Sequence, residues 1–220
     1  MTRPSFIFVA NLLWLDFVNT EPVRAGERVD LLGGFADLAR WLREAGVLSA
    51  DAARLAAARW GGTAEGRGVF REALKLRVAL RAGAERLAAG KPVGDEMVGV
   101  VNRVLASRPS YPRLVRAGRG YASRLEPVSR SPLHLLVPVA ESAAWLLEHG
   151  DSSLVRRCEG TRCVLLFYDT TRNKSRRWCS MEGCGSRAKA VAYYRRNREP
   201  TSAPTIGLGN NVETAPNRPA

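Results

Sequence analysis

Cys158-Glu159-Gly160-Thr161-Arg162-Cys163 opens, and Cys179-Ser180-Met181-Glu182-Gly183-Cys184 closes, the stretch on which the reading of the chain turns. The two pairs hold all four cysteines; each encloses four residues, and fifteen residues, Val164 to Trp178, lie between them. A tetrahedral metal ion needs four soft donors about 2.3 Å away, and two short knuckles joined by a hairpin supply them with little chain. Cys158, Cys163, Cys179 and Cys184 are therefore expected to bind one structural zinc ion. A four-sulfur tetrahedron also suits ferrous iron, which stands as the chemical alternative. A pair of disulfides would need an oxidising compartment, and the sequence offers no convincing export signal.

Inside that stretch Val164 to Tyr168 is a β-branched and aromatic run, Asp169 to Ser175 is polar and rich in turn formers, and Arg176 to Cys179 leads back toward the metal. This predicts a hairpin between the knuckles. Beyond Cys184 the alanine, lysine and arginine content from Ala188 to Arg196 predicts a helix. Knuckle, hairpin, knuckle and helix together resemble a treble clef. So small a unit buries little apolar surface, so ligation of the metal is expected to supply most of its stability.

The charge is concentrated in the same place. Of the formal net charge of +13, most lies between Arg156 and Glu199, where twelve basic residues face four acidic ones. A polyanion is the natural counterpart, because each phosphate neutralised by Arg or Lys releases condensed counterions. Arg172, Lys174, Arg176 and Arg177 are expected to grip phosphates from the hairpin and its return, and Arg187, Lys189, Arg195 and Arg196 from the helix. Lys189, Tyr193 and Arg196 share one stripe of that helix, suited to the major groove. An RNA partner, with Tyr193 or Tyr194 stacking on exposed bases, and an acidic protein are the alternatives that composition leaves open.

Arg176-Arg177-Trp178-Cys179-Ser180-Met181 followed by Cys184-Gly185-Ser186-Arg187 resembles the CGNR zinc finger, as does Asp169-Thr170-Thr171-Arg172-Asn173 between the cysteine pairs. Ser186 stands where the name-giving Asn would be. Upstream, Leu13-Trp14-Leu15-Asp16-Phe17-Val18-Asn19-Thr20 resembles the opening motif of the ABATE domain, Leu-x-Leu-Asp-Phe-x-Asn-Thr. The resemblance implies an alanine-rich ABATE domain followed by the finger, in a family regarded as stress-induced transcription regulators. Asp16 and Asn19 sit among large apolar residues and need hydrogen-bond partners if buried. With Trp14 they form either a candidate ligand pocket or an internal polar network.

The rest of the chain reads as mainly helical. Leu31, Phe35, Leu38, Ala39 and Leu42 mark one apolar face ending at Gly46, and Ser49 is suited to cap a helix from Ala50 to Trp60. Gly61, Gly62 and Gly66 suggest a flexible link before a long helix, with Phe70, Leu74, Arg77, Val78 and Arg81, that runs to Gly90. Asp95 is suited to cap the next helix, to Ser107. Tyr111 to Val128 predicts a β-hairpin turning at Gly118-Arg119-Gly120, and Pro132 opens a helix toward Gly150 that Pro138 kinks or delays. Phe6 to Leu15 reads as core, not as a targeting segment.

The expected fold class is therefore α+β: a mainly helical N-terminal domain with a β-hairpin at 1–150, a small C-terminal treble-clef-like zinc finger at 151–198, and a disordered tail at 199–220. The two histidines, His134 and His149, lie in no catalytic motif, no phosphate-cradling loop is present, and zinc claims every thiol. A non-enzymatic DNA-binding transcription regulator is expected, in a bacterial cytoplasm, with an N-terminal domain that senses a small-molecule effector or forms a homodimer. A small-molecule-binding domain whose basic finger docks a partner protein is the remaining reading.

Overall fold

Leu13–Val18 forms α1, a short helix whose Trp14, Leu15, Phe17 and Val18 are fully buried. Each such side chain contributes roughly 1.5–3 kcal/mol of transfer free energy, so this small element is the centre of the core. The chain enters it through a turn at Asn11, which takes a left-handed φ of 63°. The computed structural model describes residues 5–108, 110–127 and 131–197; the expected tail at 199–220 lies outside them.

A two-residue hairpin, β1 (Val23–Arg24) and β2 (Glu27–Arg28), follows α1. Four helices come next: α2 (Phe35–Glu44), α3 (Ala50–Trp60), α4 (Ala64–Ala88) and α5 (Asp95–Leu105). Ser49 caps α3 as expected, accepting from the Ala52 N–H at 3.1 Å. The expected glycine link is shorter than its composition suggested. Thr63 caps α4, its hydroxyl accepting from the Gly66 N–H at 3.0 Å, so Gly66 lies inside the helix. A Cβ on Gly66 would fall 1.9 Å from the Trp60 carbonyl oxygen, so a glycine there lets α4 start hard against the end of α3.

At 25 residues α4 is about 37 Å long, and it packs against α1, α2, α3 and α5. Its Arg77 and Arg81, one turn apart, point into the body. Arg77 donates to the Asp30 carboxylate at 2.5 and 2.7 Å and to the Thr20 hydroxyl at 3.0 Å, and Arg81 donates to the Val18 carbonyl at 2.6 Å. Both arginines tie α4 to the chain leaving α1. The hairpin β3 (Ser110–Ala117) and β4 (Gly120–Pro127) turns at Gly118, φ 59°, as expected. A 3-10 turn at Pro132–Leu136 then leads into α6 (Val137–His149), with Pro138 in its first turn. The proline delays the helix instead of kinking it, because its missing N–H is not needed there.

Next come a turn at Ser152–Leu154, the strands β5 (Val155–Arg157) and β6 (Leu166–Tyr168), and α7 (Ser186–Asn197). Here the pairing differs from expectation. β6 pairs antiparallel with β5, upstream of the first knuckle, in the register Val155 with Tyr168 and Arg157 with Leu166. The first knuckle is thus the loop of the hairpin, and no strand forms at Arg176–Cys179. Leu166 and Phe167 are fully buried, and with Leu165, Val155, Cys158, Cys179 and Cys184 they belong to the same hydrophobic cluster as Trp14, Trp41 and Leu80. The finger therefore shares the apolar core of the helical body, and ligation is not its sole support. Among the described residues no helix is long and apolar enough to cross a membrane.

Candidate metal centre and basic surface

Four sulfurs converge where the two knuckles meet. The Sγ atoms of Cys158, Cys163, Cys179 and Cys184 all lie within 4.8 Å of one another, with Cys163 to Cys179 at 3.8 Å and Cys179 to Cys184 at 3.6 Å. At a zinc–sulfur distance of about 2.3 Å, tetrahedral corners are roughly 3.8 Å apart, so the donor set fits one zinc ion. The surrounding chain is built to hold thiolates. The backbone N–H groups of Cys179 and Gly160 point at Cys158 Sγ, at 3.2 and 3.5 Å, and the Arg187 guanidinium donates to Cys184 Sγ at 3.1 Å. A Cβ on Gly160 would sit 2.8 Å from Cys184 Sγ, so the first knuckle closes this tightly only with glycine there.

Sulfurs this close do not ionise together unaided. Hydrogen bonds from Cys163 and then Cys179 hold Cys158 far below the usual thiol range. Its bond to Cys158 pushes Cys163 up to about 11, and bonds to Cys158 and Cys163 hold Cys179 well above the ordinary value. A divalent cation relieves much of that conflict by drawing all four thiolates onto itself, and the Arg187 guanidinium and the two backbone N–H groups offset part of the negative charge that remains. With four sulfurs around it, zinc has no open position for water or substrate, and its part is structural.

Two polar side chains of the α1 motif join the body to the finger. Asn19, fully buried, accepts from the Leu166 N–H at 3.0 Å and donates to the Leu166 carbonyl at 2.8 Å, completing the inner edge of β6. Asp16 accepts from the Val9 and Ala10 N–H groups, both at 3.0 Å, and folds the incoming chain across α1. Burial pushes its carboxyl up to about 6, against those two hydrogen bonds and the charge of Arg176. Trp14 is fully enclosed. Asp16 Oδ1 and both amide heteroatoms of Asn19 are thus engaged with backbone, the arrangement of an internal network.

Arg176 departs from its expected place on the phosphate-binding surface. Its guanidinium donates to the carbonyls of Val9, Cys179 and Trp178, at 2.8, 2.5 and 3.1 Å, and lies 4.2 Å over the Phe167 ring. It is a clamp between the N-terminal segment and the second knuckle, because three of its five N–H donors are spent on backbone carbonyls that fix its position. Sequence could not separate it from its neighbour Arg177, which is exposed and paired with Glu159 at 2.6 Å. Missed altogether was Asn11, whose amide donates to the Tyr168 carbonyl and the Thr170 hydroxyl. Its only sequence signal was the interruption of the apolar run at Phe6 to Leu15. Asp169 is fully buried and organises the loop after β6, accepting from Thr171 through N–H and hydroxyl and from the Arg176 N–H. Ser186, at the departure from the Cys-Gly-Asn-Arg pattern, donates to the Met181 carbonyl at 3.0 Å and so steadies the start of α7.

The remaining expected contact residues are on the surface. Arg172 and Lys174 are exposed on the loop between β6 and the second knuckle, where Lys174 takes a left-handed φ of 51°. Lys189, Arg195 and Arg196 are exposed along α7, and Arg187 lies at its start against Cys184. None of the twelve residues of α7 is buried, and Val191, Tyr193 and Tyr194 are all more than half exposed.

A family model, ABATE, described as "Putative stress-induced transcription regulator", matches residues 11–150, and the model of the CGNR zinc finger matches residues 155–197. The first match spans more than half of the chain, which therefore belongs to the ABATE family and carries a CGNR zinc finger. No curated protein matches it.

Proposed function

We propose that this member of a transcription-regulator family binds DNA through α7 and the loop carrying Arg172 and Lys174, while the helical body senses a signal or pairs subunits. The observation that carries the reading is α7 itself. Twelve residues are marginal for an isolated helix in water, yet this one has no buried residue and displays Arg187, Lys189, Arg195 and Arg196. A helix kept free of the core and loaded with cations suits a polyanionic groove. The major groove, about 12 Å wide, admits one. The knuckle holds its first turn, so metal ligation fixes the direction in which it projects. A reducing compartment such as the cytoplasm keeps the four thiolates available for that task.

The test is fluorescence anisotropy of the zinc-loaded chain with duplex DNA across a salt series. Tight binding at low salt is expected, with affinity falling steeply as salt rises. Replacing Lys189, Arg195 and Arg196 with Ala should flatten the slope of log affinity against log salt by roughly 2.7, at about 0.9 for each phosphate no longer neutralised. No binding at low salt refutes the proposal. Tyr193 and Tyr194, meeting edge to face at 5.9 Å between ring centres on the exposed helix, favour a second reading in which they stack on RNA bases. Competition between duplex DNA and structured RNA at one salt concentration decides between the two.

A further inference from the structure

Beside the second knuckle lies a cleft of about 450 Å³, walled by Trp178, Met181, Arg177 and the loop from Thr171 to Ser175. Sites for small ligands span about 300–1,000 Å³. The cleft has an apolar wall, since Met181 is 52% exposed and Trp178 is only partly covered by the core. The Arg177 guanidinium lies 5.1 Å from the centre of the Trp178 ring and is held by Glu159 at 2.6 and 2.7 Å, a flat cation beside a flat aromatic. At the rim, the side chains of Asn173 and Ser175 make no hydrogen bond among the described residues, while the Thr171 hydroxyl is taken by Asp169. Arg172 and Lys174 are exposed on the same loop.

We infer that this cleft receives one unpaired base of the bound nucleic acid. The inference rests on the nucleic-acid reading above and adds a site to it. A nucleobase has the flat π-face that stacks on indole and guanidinium, and it brings phosphates for Arg172 and Lys174. The Asn173 amide presents a donor and an acceptor together, the pairing that reads an adenine edge. An apolar peptide side chain would fill the wall but leave the cationic rim without a counter-charge, so charge complementarity selects the nucleotide.

The experiment compares three labelled duplexes of equal length in anisotropy titrations of the zinc-loaded chain: one fully paired, one with a single bulged adenine, and one whose bulge is abasic. The bulged adenine should bind roughly tenfold or more tighter than the other two, the scale of one stacked base. Met181→Ala and Asn173→Ala, on exposed positions, should each shrink that preference and leave the salt slope on the paired duplex unchanged. A 2-aminopurine in the bulge should change its fluorescence on binding to the natural chain and respond less to Trp178→Phe. Equal affinity for the three duplexes overturns the base site while duplex binding stands. Absence of binding to all three overturns both readings.

Discussion

Asn19→Ala is the substitution that most directly tests how the body and the finger are joined. The natural amide pairs with both backbone groups of Leu166 at 2.8 and 3.0 Å in a region with no solvent exposure. Alanine leaves a buried N–H and a buried C=O without partners, at about 1–3 kcal/mol each, so the expected loss is roughly 2–6 kcal/mol. For a chain of this size that corresponds to a fall in Tm on the order of 10 °C. The assay, in a Trp178→Phe background that removes the indole of the finger, is urea unfolding followed by two probes: tryptophan fluorescence, reporting the body through residues that include the buried Trp14 and Trp41, and release of zinc to a chromogenic chelator, reporting the finger. Because one hydrophobic cluster runs from Trp14 through Phe167 to the cysteines, both probes should move together and shift to lower urea together. Two separated transitions, or a loss below about 1 kcal/mol, would refute the shared core as an energetic unit.

Other outcomes follow from the same contacts. Arg176→Ala should destabilise the fold by roughly 2–4 kcal/mol by leaving carbonyls unpaired, yet leave the salt slope of DNA binding unchanged in a comparison with Arg172→Ala, which should flatten it by about 0.9. Asp16 makes stability depend on pH. Its folded pKa of about 6 lies above the ordinary carboxyl value of 3.8, so the folded state holds the proton more tightly and the contribution of this group is greatest below about pH 4. It declines as pH rises to about 6, by roughly 3 kcal/mol in all. Urea titrations of the natural chain and Asp16→Asn across pH 4 to 7 should diverge by this amount; parallel curves would mean a carboxylate of ordinary pKa. Purified protein should contain one zinc per chain by elemental analysis, and Gly160→Ala, which puts a methyl 2.8 Å from Cys184 Sγ, should weaken zinc retention against a competing chelator and lower the urea midpoint of both probes together.

The sequence by itself determined what depends on local pattern. Four cysteines at matched spacing pointed to the ligand set and to zinc, with ferrous iron as the alternative, because ligand chemistry and loop length constrain each other over a few residues. The Ser49 cap and the Gly118 turn were legible for the same reason, each being decided within one turn of chain, whereas at Pro138 the sequence left a kink and a late start both open. The concentration of arginine and lysine was equally plain. The tertiary structure alone decided which cations face outward. Arg176 and Arg177 are adjacent and chemically identical, but one closes on Val9, 167 residues away in sequence, while the other stays at the surface. Arg77 and Arg81 turn inward because Asp30, Thr20 and the Val18 carbonyl await them there. The pairing of β6 with β5 and its seating on Asn19 likewise depend on contacts between distant segments, which a periodicity of a few residues does not encode. The physical reason is common to all three: a side chain's partner is set by where the packed core brings remote backbone groups, and composition carries no coordinate for that.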